Sequence, residues 1–243
     1  MSARITLAVA GRVLLQLRRD PRTVAMMLVV PCVLITLLWW MYRHTSVFDA
    51  VGPALLAVFP FVVMFLVTSV TTLRERSSGT LERLLAMPMG KLDLLLGYAL
   101  AFGLVAAVQA VVAVGLSVGV LGLDIQGPVW LLAVVAVVDA VLGTALGLFV
   151  SAFANTEFQA VQFMPALVIP QLLLCGLFVP RDLLPDALHA LSAVLPLSWA
   201  VDAMQTLTRT SATADVWRDL VIVTAYAVGV LALGAATLRR RTP

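Results

Sequence analysis

Six long runs of apolar residues dominate the chain. They occupy residues 23–42, 54–73, 94–122, 129–153, 161–179 and 219–238. A helix rises 1.5 Å per residue, so each run is long enough to cross the roughly 30 Å hydrocarbon core of a bilayer. With 62% hydrophobic and 12% charged residues, the 243-residue chain has more apolar surface than a water-soluble domain can bury. The runs are unbroken rather than alternating, which excludes a transmembrane barrel and predicts an all-α integral membrane protein.

The distribution of basic residues predicts the topology. The segments before the first run, between the second and third runs, and after the sixth contain twelve of the sixteen Lys and Arg residues. Because Lys and Arg are enriched in cytoplasmic loops, we expect both termini in the cytoplasm. The five tryptophans lie towards the opposite membrane surface, where indole rings favour the interface. The net charge of +3 therefore reflects membrane orientation rather than binding of nucleic acid.

Residues 4–19 predict an amphipathic helix in the membrane interface. Ile5, Val9, Val13 and Leu17 recur at helical spacing, with arginines between them. The Asp20-Pro21 pair should end this helix, because a residue that precedes proline avoids the α region. The first span would follow directly.

The segment between the second and third spans, residues 74–93, is charged and contains the only lysine. On a helix over residues 80–87, three leucines share one face, Glu82 and Arg83 lie on the other, and Pro88 ends the helix. We expect a short amphipathic helix on the cytoplasmic surface with Glu82 and Arg83 available to a partner. The periodicity fits a surface helix without a partner equally well.

The connection between the fifth and sixth spans, residues 180–218, is the longest loop. Its leucines 184, 188, 191 and 195 recur at helical spacing between prolines. We expect one or two short external helices, acting either as an exit cap or only as a shield for the bundle.

Three polar side chains fall inside predicted spans and are candidates for a translocation role: Asp139, Gln109 and Gln171. Asp139 lies in the middle of the fourth span, where a carboxyl group either serves transport or forms a structural hydrogen bond to a neighbouring span. Glutamine in a span commonly joins helices. The sequence indicates no catalytic residues and no metal site.

Two pairs of glycines have the small-xxx-small spacing that lets helices approach closely. They are Gly115 with Gly119, and Gly143 with Gly147. Ordinary use of glycine in a glycine-rich chain explains them equally well.

Several short motifs resemble those of ABC-2 type permeases, the membrane subunits of ABC exporters, and most closely the drug-resistance branch that resembles daunorubicin exporters. The motifs that resemble this family's cytoplasmic coupling segment are Glu75-Arg76, Gly79-Thr80-Leu81-Glu82, Leu84-Leu85 and Met87-Pro88. Further motifs resemble its entry helix, its fifth-span exit and its external re-entry: Leu17-Arg18-Arg19-Asp20-Pro21, Gly176-Leu177-Phe178-Val179-Pro180, Leu184-Pro185 and Leu195-Pro196-Leu197-Ser198-Trp199.

The resemblance implies one transmembrane domain over residues 1–243, with residues 74–93 as the coupling segment. It assigns ATPase coupling to eight residues: Glu75, Arg76, Gly79, Thr80, Leu81, Glu82, Arg83 and Leu84. It also implies two separate ABC ATPase subunits that bind ATP and Mg²⁺, and a second permease chain, identical or related. In agreement, Gly90-Lys91 is followed by leucine, and no GxxxxGK[ST] phosphate-binding motif occurs in the chain.

The function implied by the resemblance is export of a lipophilic or amphipathic compound across a bacterial plasma membrane, by a subunit that is not itself an enzyme. The alternatives are export of a lipid-linked glycan or another cell-envelope precursor, and a stand-alone secondary transporter, which would show internal repeats. An intramembrane protease would need a Ser–His pair or two acids within the bilayer. His44 and His189 both lie outside the predicted spans.

Overall fold

The computed structural model describes residues 2–45, 47–78, 90–154 and 156–237, and within these ranges the chain forms helices without any strand. The helices are α1 Ala3–Arg18, α2 Pro21–Tyr42, α3 Val47–Ser77, α4 Lys91–Gly119, α5 Val129–Ser151, α6 Glu157–Leu174, a 3-10 turn Arg181–Leu183, α7 Asp186–Val194, α8 Pro196–Arg209 and α9 Ala214–Thr237.

Six of these helices, α2 to α6 and α9, are long and apolar enough to cross a membrane. The all-α fold with six spans is therefore confirmed, and the chain is a multi-pass membrane protein. Several helix ends differ from the predicted limits; α3, for example, begins at Val47 rather than at residue 54. Helix α6 ends at Leu174, because the chain bends at Gly176, whose φ of +92° is a left-handed conformation. Helix α9 begins at Ala214, before the apolar run, because its polar first turn is also helical.

The spans alternate in direction, so that the bundle has two distinct ends. At one end, Arg74 near the end of α3 pairs with Glu157 at the start of α6. The same end carries α1, because the Ser2 backbone N–H donates to Asp93 in the first turn of α4 at 2.9 Å. We call it the α1 end. At the opposite end, which we call the α8 end, the Gly127 N–H donates to the Leu207 carbonyl of α8 at 2.8 Å.

Helices α3 and α5 pack backbone to backbone. An added Cβ at Gly143 would lie 2.4 Å from the Phe61 carbonyl oxygen, and one at Gly147 would lie 2.6 Å from the Phe65 carbonyl oxygen. This glycine pair therefore does permit a backbone-to-backbone approach, as its spacing predicts. At Gly115 and at Gly119, no described residue from another helix comes within 4 Å of such a Cβ.

Helices α7 and α8 lie between α6 and α9 and meet at an angle of 95°. Pro196 begins α8 at the bend, where a proline needs no backbone hydrogen bond. The buried face of α8 includes Leu197, Val201 and Met204, which are fully inaccessible. This helix closes the α8 end of the bundle.

Candidate functional site

An ionic cluster joins three helices at the α1 end. Arg12 Nη2 of α1 donates to Glu75 Oε2 of α3 at 2.7 Å and to the Tyr98 hydroxyl of α4 at 2.8 Å. The Tyr98 hydroxyl in turn donates to the same oxygen of Glu75. Glu75 is only 4% exposed, so its charge depends on these two partners. We call Arg12, Glu75 and Tyr98 the Glu75 cluster.

The cluster keeps its arginine charged. Burial opposes the charge of Arg12, but its interactions with Glu75 and Tyr98 together outweigh that effect and raise the pKa of Arg12. Removing one partner of a fully buried ion pair costs about 3–5 kcal/mol, because the other charge stays uncompensated. The Arg12 side chain is 33% exposed, so we expect a cost below that range.

Helix α1 also packs directly on the backbone of α4. An added Cβ at Gly97 would lie 2.6 Å from the side chain of Val9 and 3.0 Å from the Thr6 carbonyl oxygen, so only glycine lets the two helices come this close. The Asp93 carboxylate accepts from the Ser2 N–H with one oxygen and from the Gly90 N–H, at 3.2 Å, with the other. It therefore fixes both the start of α1 and the start of α4.

These contacts lie on both sides of the predicted coupling segment. Glu75 and Arg76 belong to the last turns of α3. Six of the predicted coupling residues, Gly79, Thr80, Leu81, Glu82, Arg83 and Leu84, lie outside the described residues. The chain becomes described again at Gly90, just before α4. Helix α1 thus contacts the helix that leads into residues 79–89 and the helix that leads out of them.

A second ion pair at this end is exposed. Arg74 Nε donates to Glu157 Oε1 at 3.1 Å, with side chains that are 66% and 49% exposed. Pairs this exposed contribute about 0–1 kcal/mol. The Arg74–Glu157 pair therefore offers a matched comparison for the buried Arg12–Glu75 pair.

The three translocation candidates have different environments. Asp139 is fully inaccessible and Gln109 is 1% exposed, and neither side chain has a hydrogen-bond partner among the described residues. The structural bond considered for Asp139 is thus not seen in this part of the chain. Gln171, by contrast, donates to the Leu167 carbonyl and accepts from the Leu197 N–H at 3.3 Å, so it joins α6 to the start of α8.

A second charged cluster lies at the α8 end, outside the six spans. Arg181 is 9% exposed, is paired with Asp202, donates to Ser192 Oγ at 3.0 Å, and places its Cζ 5.0 Å from the centre of the Trp199 ring. Burial raises the pKa of Asp202 to about 6, although the charge of Arg181 lowers it. We call Arg181, Asp202, Trp199 and Ser192 the Asp202 cluster.

Sequence reasoning did not identify these two clusters. In the Glu75 cluster, Arg12 is separated from Glu75 by 63 positions and from Tyr98 by 86. The available signal was weak: an arginine that interrupts an apolar stripe needs a partner, but nothing local says which one.

Comparisons with known proteins agree with the fold. A family model described as ABC-2 type transporter matches residues 5–207. The chain is 27% identical over 171 residues to the probable multidrug ABC transporter permease YbhR of Escherichia coli K12, a match that covers 70% of this chain and 46% of that protein. It is 26% identical over 182 residues to the inner membrane transport permease YhhJ of the same strain, covering 74% of this chain and 48% of that protein.

A third relative is a much longer eukaryotic protein. The chain is 24% identical over 185 residues to ABC transporter G family member 23 of Dictyostelium discoideum, covering 75% of this chain and 26% of that protein. The matches therefore span less than half the length of these three curated relatives. The family model covers most of the chain, and the chain belongs to the ABC-2 type transporter family.

Proposed function

We propose that this chain is the membrane subunit of an ABC exporter that moves a lipophilic or amphipathic compound out of the cell. ATP and Mg²⁺ would bind to two separate ATPase subunits. The observation that carries the proposal is the Glu75 cluster, which ties α1, α3 and α4 together on both sides of residues 79–89. An ATPase subunit would contact residues 79–89, with Glu82 and Arg83 towards it.

The helix contacts support a route for the motion. Because Arg12 bonds to α3 and to α4, a displacement of residues 79–89 would move both helices and α1 together. Helix α3 would carry α5 with it, since Gly143 and Gly147 leave no gap between the two backbones. Packed helices of this kind move as rigid bodies rather than by gradual deformation. Closure of the ATPase pair would thereby be converted into a tilt that opens the α8 end.

The exposed apolar surface supports a second permease chain and lipids as the remaining partners. Along α2, Met26 is 66% exposed, Leu37 50% and Trp40 62%. Within a membrane such a surface is covered by lipid or by another transmembrane subunit. We infer a pair of permease chains, identical or related, because a pathway enclosed by one six-helix chain would leave few helices to seal it.

The orientation in this proposal follows from charge. The α1 end would face the cytoplasm, since the segments at this end contain most of the arginines, and the α8 end would face the exterior of a bacterial plasma membrane. The name of the relative YbhR as a multidrug permease supports a lipophilic cargo.

The experiment is reconstitution with a candidate ABC ATPase subunit, followed by measurement of ATP hydrolysis and of transport in proteoliposomes. Arg12→Gln and Glu82→Ala should leave the subunits assembled but reduce transport per ATP hydrolysed. Arg74→Gln, which removes an exposed pair at the same end, is the matched control and should behave like the wild type.

Two results would contradict the proposal. One is that no Walker-motif subunit copurifies with the chain. The other is that Arg12→Gln and Glu82→Ala both retain the wild-type ratio of transport to hydrolysis, because the Glu75 cluster would then have no part in coupling.

A further inference from the structure

Asp139 is a buried acid that the proposed coupling route does not use. It lies in the middle of α5, is fully inaccessible, and neither carboxyl oxygen has a hydrogen-bond partner among the described residues. An unpartnered polar group in such a place is costly, and an unpartnered charge more so. The conformation seen here therefore leaves this carboxyl group without a hydrogen bond from the described part of the chain.

The missing partner of Asp139 must reach it from within the bundle. Since the side chain has no accessible surface, neither a lipid nor a second permease chain can contact it in this conformation. Gly143, one turn along α5, is in backbone contact with Phe61 of α3, which closes that side. A partner would arrive only when α3 and α5 move together relative to the other helices, as in the proposed transport motion.

The surroundings of Asp139 lead towards the α8 end. The buried thiol of Cys175, just after α6, lies within electrostatic range of both Asp139 and Asp202. Two carboxyl groups thus flank one residue, the first at mid-span and the second in α8. Around Asp202, at the α8 end, acidic side chains outnumber basic ones. There the charges of Asp182, Asp202, Asp215 and Asp219 act on one another together with those of two arginines, Arg181 and Arg218.

The Asp202 cluster already binds a cation, namely a side chain of the protein itself. The Arg181 guanidinium pairs with the Asp202 carboxylate and lies over the Trp199 ring. The Trp199 ring is held in place because its Nε1 donates to the Ala193 carbonyl at 2.9 Å. A carboxylate beside a fixed indole face is the chemistry that recognises organic ammonium groups.

We propose that Asp139 and the Asp202 cluster are two successive binding sites for the positively charged group of a lipophilic cargo. The inference rests on the proposed export function and adds the class of cargo: organic cations with large apolar substituents, such as protonated amines and phosphonium ions. Asp139 binds the cation at mid-span, and Asp202 with Trp199 binds it at the exit, where it displaces the guanidinium of Arg181. A neutral compound of the same size gains nothing from either carboxyl group.

The test uses the permease reconstituted with its ATPase in lipid nanodiscs and two probes, tetraphenylphosphonium and the neutral triphenylphosphine oxide. Direct binding and stimulation of ATP hydrolysis are measured for each. Asp139→Asn should weaken the apparent affinity for tetraphenylphosphonium about 10- to 100-fold, the equivalent of one charge-assisted interaction, and leave that for triphenylphosphine oxide unchanged. Asp202→Asn, the second variant, covers the case in which Asp139→Asn does not fold.

The control is Asp49→Asn, which neutralises an exposed acid in the first turn of α3, at the α8 end like Asp202. It should bind both probes as the wild type does. The inference would be overturned if the wild type bound the two probes equally well. It would also be overturned if both variants folded and kept the wild-type affinity for tetraphenylphosphonium. Neither result would contradict the proposed export function, which rests on ATPase coupling. Loss of ATPase copurification would instead refute the proposed function itself.

Discussion

Replacing Gly143 with alanine should destabilise the bundle, and the structure allows the size of the effect to be worked out. The new Cβ would lie 2.4 Å from the Phe61 carbonyl oxygen, whereas ordinary contact begins at 3.4 Å, so α5 and α3 would have to separate by about 1 Å. The obstacle is a backbone atom that cannot rotate away. Overpacking costs about 1–3 kcal/mol, and we expect the upper end of that range. Alanine regains about 1 kcal/mol through its higher helix propensity, which leaves a net loss of about 2 kcal/mol.

The assay is thermal unfolding of the purified protein in detergent, followed by tryptophan fluorescence. A loss of about 2 kcal/mol should lower the midpoint by about 4–8 °C for a chain of this size. Gly115→Ala is the matched control, because its Cβ would meet no described residue of another helix within 4 Å and only the propensity gain applies. If Gly143→Ala melted at or above the wild-type temperature, the close approach of α3 and α5, and with it their movement as one body, would be refuted.

Three further outcomes are expected. Gly97→Ala should displace α1 from α4 and lower transport per ATP hydrolysed. Gly103→Ala is the control and should change neither, because its new Cβ would be 3.6 Å from its nearest neighbour. Equal transport-to-hydrolysis ratios in the two variants would contradict the role of α1. The folded protein raises the pKa of Asp202 from 3.8 to about 6, so this carboxyl group keeps its proton at pH values where the unfolded chain has lost it. Its contribution to stability should therefore fall as pH rises from about 4 to 6. Melting curves of the wild type should decline more steeply over this range than those of Asp202→Asn, and equal slopes would contradict the raised pKa. Gln171→Leu should leave the Leu197 N–H without its acceptor and speed its hydrogen exchange about tenfold, and an unchanged rate would show that this bond does not hold α8 in place.

The number of spans could be predicted from the sequence because hydropathy is a local property. Each of the six apolar runs overlaps one long helix, and Asp20, whose carboxylate accepts from the Thr23 N–H, caps α2 where the Asp20-Pro21 pair predicts a boundary. Helix ends were less predictable. Polar turns such as the start of α9 stay helical beyond the apolar run, and the bend at Gly176 ends α6 within it.

The candidate site was predictable only in part. The motif around Glu75 indicated a coupling segment, but not that its carboxylate faces Arg12 and Tyr98 rather than a partner protein. The spacing of the glycines at 115 and 119 is the same as that at 143 and 147, yet among the described residues only the second pair is in close contact with another helix. Likewise, Asp139 and Gln171 are similar polar interruptions in the sequence, yet among the described residues Gln171 has a hydrogen-bond partner and Asp139 has none.

The sequence by itself determined that this protein is a bundle of six membrane-crossing helices and to which family it belongs, because apolar runs and short motifs are read along the chain. Only the tertiary structure decided which charges meet, that α1 bridges the two helices beside residues 79–89, and that the side chain of Asp139 is enclosed within the bundle. The physical reason is that charge pairing and close packing depend on distances between helices, and those distances are set by the whole bundle rather than by neighbouring residues.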